Sequence, residues 1–197
     1  MTTDSEIVRR SRHEAAAFGE LFERHARAVA GFASRRVGAD VAEDVLSETF
    51  LVAFRRRASF DLRVDSARPW LLGIATRVIH RHRASEAKQL RSLLAQQPER
   101  PLPDDSDGLS DRLDASASLR ELAPRVAALA KKDRDTLFLF AWGDLSYEET
   151  AQALGVPVGT VKSRLNRVRR LLAPANAGHK TSTNPLQSSE VEYGHLG

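Results

Sequence analysis

Lys162, Arg164, Arg167, Arg169 and Arg170 fall within nine residues, and no acid occurs in residues 151–173. Cations at that density hold phosphate. On one helix they let it enter a DNA major groove, its first turns reading base edges while the rest grips the backbone. A second basic block, residues 76–91, sets Arg77, Arg81, Arg83, Lys88 and Arg91 against Glu86 alone, and residues 55–68 carry five Arg against two Asp. Residues 38–54 reverse the sign, with Asp40, Glu43, Asp44 and Glu48 and no base. A charge run taken alone is most simply a solvated face. The run at 162–170 departs from that because a helix-turn-helix pattern immediately precedes it.

Candidates for catalysis or metal binding are poor. His80 and His82 are two apart, which points them in different directions on a helix, and neither an acid nor a Cys is expected near enough to orient or co-ligate them. Asp104 and Asp105 sit in an acidic, proline-bearing stretch that would hold no fixed geometry. There is neither a glycine-rich phosphate loop nor a Gly-x-Ser-x-Gly turn. Neither an enzyme nor a cofactor is expected.

The elements that must position the cations are helical. Ser146 with Glu149 three residues on reads as a capping box opening a helix that runs to Leu154. Gly155-Val156-Pro157 makes the turn, and a last helix runs from about Val158 to Leu172. Ala151 is small enough to let the two helices approach, with Val156 and Val161 plugging the angle. Upstream, residues 119–130 read as a helix with Leu122, Val126 and Leu129 on one face and Pro124 in its first turn or kinking it. Residues 135–142 read as another, stopped by Gly143.

Towards the N-terminus, Phe18, Leu21, Phe22, Val29 and Phe32 form a helical stripe ended by Gly38. Asp40, paired with Glu43, is the expected cap of the next helix, with Leu46, Phe50, Ala53 and Phe54 as its apolar positions. Asp65 or Ser66 precedes a third, with Pro69 in its first turn and Trp70, Leu71, Ile74 and Val78 inward.

The 197 residues carry 30 Lys plus Arg against 26 Asp plus Glu, a net +4 that hints at an anionic partner. No cysteine is present, which excludes disulfides, thiol nucleophiles and Cys-type zinc sites and fits a reducing, cytoplasmic setting. Neither a membrane span nor an export signal is expected. Residues 96–118 hold six acids against two Arg and three of the eight prolines, and no aromatic occurs between Trp70 and Phe138. Residues 85–118 therefore read as a linker between two domains, 14–84 and 119–173, with tails at 1–13 and 174–197, the latter expected to be disordered. The fold class expected is all-α: two small helical domains on a flexible acidic linker that could extend about 100 Å.

Two motifs together resemble a family. Ala42-Glu43-Asp44-Val45-Leu46-Ser47-Glu48-Thr49-Phe50, followed by Arg68-Pro69-Trp70-Leu71-Leu72-Gly73-Ile74-Ala75, looks like region 2 of a bacterial RNA polymerase sigma factor of the sigma-70 family, extracytoplasmic-function (ECF) group. Leu145-Ser146-Tyr147-Glu148-Glu149-Thr150-Ala151 and the run from Gly155 to Leu172 look like region 4. The resemblance spans residues 14–173 in family order.

It implies a factor that binds core RNA polymerase and directs promoter-specific initiation. Asp44, Ser47 and Glu48 would meet the β′ clamp helices, with Ser47 where the family usually has Gln, and region 4 would meet the β flap. The loop before the third helix and that helix would melt and read the minus 10 element, using Arg68, Arg77, His80 and Arg81, with Arg77 where the family commonly has Asn. The last helix would read duplex minus 35 DNA, with Lys162, Ser163, Asn166 and Arg167 facing bases and Thr160, Arg164 and Arg169 facing phosphates. An anti-sigma factor is a further partner the resemblance implies. The rival is a stand-alone helix-turn-helix regulator, which would need a dimerisation face and bind an operator without polymerase.

Overall fold

A glycine with positive φ decides where the first long helix stops. Gly38, at φ 82°, follows α2 (Phe18–Val37) and closes it with its N–H on the Ser34 carbonyl. The structure, a computed structural model, describes residues 2–94 and 117–173. Every regular element among them is a helix: α1 (Asp4–Ser11), α2, α3 (Ala39–Arg56), α4 (Arg68–Leu94), α5 (Ala117–Ala127), α6 (Lys131–Ala141), α7 (Tyr147–Leu154) and α8 (Val158–Leu172), with short 3-10 turns at Ala15–Ala17 and Arg57–Ser59. None of these helices is long and apolar enough to cross a membrane. The expected tail at 174–197 lies outside the described residues.

Several local expectations are corrected. The N-terminal segment 1–13, read as a tail, contains α1. Thr3 and Glu6 cap it reciprocally, and Ile7 and Val8 are fully buried. Helix α3 starts at Ala39 directly after Gly38, without the Asp40 side-chain cap, because one glycine serves as both stop and start. Helix α4 continues to Leu94, ten residues into the segment read as linker; residues 95–116 lie outside the described residues. Pro124 sits eighth of the eleven residues of α5, not in the first turn, and the helix ends three residues later. Helix α6 begins at Lys131, four residues before Asp135.

Helices α1–α4 form one bundle and α5–α8 another, and the two share a core. Phe138, Leu139, Leu145 and Ala153 from the second bundle belong to the same buried cluster as Phe32, Leu71, Leu72 and Ile74 from the first. Ala151, Val161 and Leu165 make a smaller cluster between α7 and α8, joined by Phe140, Tyr147 and Val156. Helices α4 and α7 approach so closely that a Cβ on Gly73 would lie 2.4 Å from the Ala153 carbonyl oxygen.

Candidate nucleic-acid interface

Helix α8 is positioned by local chemistry. The Ser146 hydroxyl accepts the Glu149 N–H at 3.1 Å and the Glu149 carboxylate accepts the Ser146 N–H at 2.8 Å, so α7 opens on a complete capping box. Gly155, left-handed at φ 66°, turns the chain, and Val156 N–H closes the turn on the Ala151 carbonyl at 3.1 Å. Pro157 sets the extended residue from which α8 starts. Val161, Leu165 and Val168 face inward, leaving Lys162, Ser163, Asn166, Arg167, Arg169 and Arg170 exposed. At the far end the Arg125 guanidinium binds the Leu171 and Ala173 carbonyls, both at 2.7 Å, satisfying acceptors the helix cannot use.

Not every cation of α8 stands clear. Arg167 reaches back to Asp133 on α6 at 3.0 Å, and that carboxylate is only 2% exposed. Half-buried Arg164 donates to the Thr136 hydroxyl at 3.4 Å. Arg169 donates to the Asn166 side-chain oxygen and to the Tyr147 hydroxyl, both at 2.9 Å. Ser163 turns its hydroxyl onto the Thr160 carbonyl. The outward face that remains is a stripe of Lys162, Ser163, Asn166 and Arg170, polar and cationic, on a helix whose opposite side is a continuous apolar seam.

In the first bundle the structure separates residues that the sequence reading grouped. His80 and Arg68 point at the second bundle: His80 Nε2 lies 2.7 Å from Asp135 Oδ2, and Arg68 lies 3.9 Å from Asp144. Arg81 turns to α3 and pairs with Glu48 at 3.0 Å; His82 holds the other oxygen of Glu48 at 2.9 Å. Both histidines thus have acids that only the tertiary fold supplies, correcting the expectation that none lies near them. Arg77 stays exposed, its pKa pushed down by partial burial and by neighbouring Arg56. Trp70 is half-buried, its ring 5.1 Å from that of Phe60.

On α3, Asp44, Ser47, Glu48 and Leu51 share one stripe. Asp44 and Ser47 are exposed, and Leu51 is 47% exposed, an apolar side chain amid polar ones. Phe22 of α2, 43% exposed, stands edge-on to Phe50 with ring centres 4.8 Å apart, although the helical stripe of α2 placed it inward.

The chain matches the family description "Sigma-70 region 2" over residues 21–89 and "Sigma-70, region 4" over residues 119–172. The ECF RNA polymerase sigma factor SigC of Mycobacterium tuberculosis is 36% identical over 137 residues, covering 68% of this chain and 70% of that protein. The ECF RNA polymerase sigma-E factor of Escherichia coli K12 is 30% identical over 189 residues, 86% of this chain and 92% of that one. The protein belongs to the ECF group of sigma-70 family RNA polymerase sigma factors.

Membership implies polymerase binding and promoter-directed transcription. Among solved structures, CnrH in complex with the cytosolic domain of CnrY is similar in fold, with TM-score 0.59 at 24% identity over 86% of this chain and 94% of that one. The sigma factor RpoE of Bartonella quintana in complex with the anti-sigma factor NepR gives 0.56 at 21%, over 79% and 93%.

The residues that join the two bundles of this sigma factor are ones sequence reasoning missed. Arg36 of α2, its side chain fully buried, donates to Asp135 Oδ1 at 3.0 Å and lies over the Phe138 ring, while His80 takes the other carboxylate oxygen. Burial alone would raise the Asp135 carboxyl; the hydrogen bond from His80 and the charge of Arg36 outweigh it and hold the pKa below the ordinary 3.8. A signal existed. Arg36 follows Val29 and Phe32 on the inward stripe of α2, and Asp135 precedes Phe138 and Leu139 on that of α6, so both polar groups occupy core positions.

Proposed function

We propose that this sigma factor reads duplex minus 35 DNA with α8, melts and captures minus 10 DNA with the 57–67 loop and α4, and docks on the β′ clamp helices through α3, while its second bundle meets the β flap. The observation that carries this is the outward stripe Lys162, Ser163, Asn166 and Arg170, backed by Val161, Leu165 and Val168, on a helix presented by a capped turn. A helix of that build fits the roughly 12 Å wide major groove.

Within the stripe we assign base edges to Lys162, Ser163 and Asn166. Arg167 joins them only by exchanging Asp133 for DNA, and Thr160, Arg164 and Arg169 flank the backbone. On α4, Arg77 and Arg81 lie one turn apart, and Arg68 and His80 become available when the bundles part. The α3 stripe combines acids with exposed Leu51, which suits a partner offering both cations and an apolar patch. An anti-sigma factor is a further partner in this proposal, because a sigma factor of similar fold was solved bound to one.

Replacing Asn166 with alanine in the polymerase-bound factor should weaken binding at one or two minus 35 base pairs by about 1–3 kcal/mol and leave other sequences alone. Arg170→Ala should weaken all sequences alike and lower the salt slope by about one. Binding to a randomised minus 35 library at two salt concentrations checks both. An Asn166→Ala loss spread evenly over the library would remove the base-reading role.

A further inference from the structure

Helix α1 lies outside both family-matched segments, yet it grips the connection between α3 and α4 at each end. Near α3, the Arg12 guanidinium donates to the Ala58 carbonyl at 3.1 Å, with Phe60 at 3.4 Å and Arg57 at 3.5 Å. Arg57 returns a hydrogen bond to the Ser11 carbonyl at 3.1 Å. Near α4, Asp4 Oδ2 accepts the Ala67 N–H at 2.7 Å, the Asp4 N–H donates to the Asp65 carbonyl at 3.2 Å, and the Ser5 hydroxyl donates to the Val64 carbonyl at 2.9 Å.

We propose that α1 is a positioning element for promoter melting, holding the 57–67 loop by its two feet in the shape that captures an unstacked minus 10 base. This rests on the assignment of that loop to base capture.

The grip is built from groups that would not be buried without it. Asp4 is 3% exposed, and a carboxylate there is tolerated only because Ala67 N–H, His25 and Arg24 surround it. Those hydrogen bonds overcome burial and keep its pKa below the ordinary 3.8, so the charge that ties the start of α4 persists at neutral pH. Ile7 and Val8, fully buried, fix α1 itself to the bundle. Loop carbonyls 58, 60, 64 and 65, which would otherwise be left to water, all have α1 or Arg12 as partner.

The tip between the feet is left open. Asp61 and Arg63 are exposed there and pair with each other at 2.7 Å, the carboxyl pulled down to about 2 by Arg63. A loop with fixed feet and an open tip pays little ordering entropy when it captures an extruded base, and extrusion is the costly part of melting.

The test uses full-length protein bound to core polymerase on a promoter selected by the wild-type holoenzyme. Opening is followed by permanganate reactivity of minus 10 thymines, and core affinity and closed-complex binding are measured alongside. The double variant Ser5→Ala/Arg12→Ala, which removes the Ser5 bond to Val64 and the three Arg12 bonds, should slow opening by about fivefold, with core affinity and closed-complex binding unchanged. Arg12→Lys, which keeps the charge but not the fork, should fall between. Unchanged opening in the double variant overturns the proposal, and so does a parallel fall in core affinity, which would make α1 a stability element only. The tip variant Asp61→Ala/Arg63→Ala separates the two ideas. If it opens normally, the loop is not the capture site; if it is slow while Ser5→Ala/Arg12→Ala is not, the loop captures but α1 does not position it.

Discussion

Asp135→Ala is expected to destabilise the protein by about 3–5 kcal/mol, because it removes the buried carboxylate that the Arg36 guanidinium and His80 share. Arg36 has no solvent to turn to, since its side chain is fully buried. The double replacement Arg36→Met/Asp135→Leu should recover most of the loss, because two charges then leave the core together. Urea unfolding midpoints at constant slope measure both changes. A loss below about 1 kcal/mol for Asp135→Ala would mean that water reaches Arg36.

The same carboxylate sets a pH dependence. Its folded pKa lies below the ordinary 3.8. Its contribution is therefore complete above 3.8 and is lost as pH falls through the lower folded value. The Asp135→Ala penalty should shrink in that acid window and stay constant above it.

The second large effect concerns Gly73. Alanine is the better helix former by about 1 kcal/mol, so in an isolated α4 the change Gly73→Ala would stabilise. In the protein the added Cβ meets the Ala153 carbonyl oxygen at 2.4 Å, and a backbone atom inside α7 cannot step aside. A net destabilisation of about 1–3 kcal/mol is expected, with the bundles pushed apart. The chain contains no cysteine, so thiols introduced at exposed Glu23 and Gln152 can carry a fluorescent pair without interference. Energy transfer should fall in Gly73→Ala while helix content holds. Unchanged transfer with raised stability would mean that α4 and α7 are not in backbone contact.

What was legible in the sequence was what local chemistry decides. The bounds of α7 and α8 follow from Ser146, Glu149, Gly155 and Pro157, each of which acts within four residues of itself, and the structure places both helices where those signals put them. The family was legible for a related reason, since its motifs are short runs, 42–50, 68–75, 145–151 and 155–172, each unbroken in the chain.

What was not legible depends on partners remote in sequence. Segment 1–13 has too few apolar residues to announce a core element, yet Ile7 and Val8 are buried because Asp4 finds Ala67, sixty-three residues away. His80 and His82 looked isolated because Asp135 and Glu48 reach them only through the fold. The place of Arg167 on α8 gave no sign that Asp133, on another helix, holds its guanidinium at 3.0 Å. The net charge of +4 conceals most of this, since it sums acids and bases that lie on different faces or pair with each other.

The most direct measurement adds the purified full-length protein to core RNA polymerase with a randomised promoter library and sequences the transcripts. Transcripts should start downstream of one shared pair of minus 35 and minus 10 elements, and the preference should disappear without the protein. Initiation no greater than core enzyme alone, from folded protein that binds duplex DNA by itself, would contradict the account and point to an operator-binding regulator.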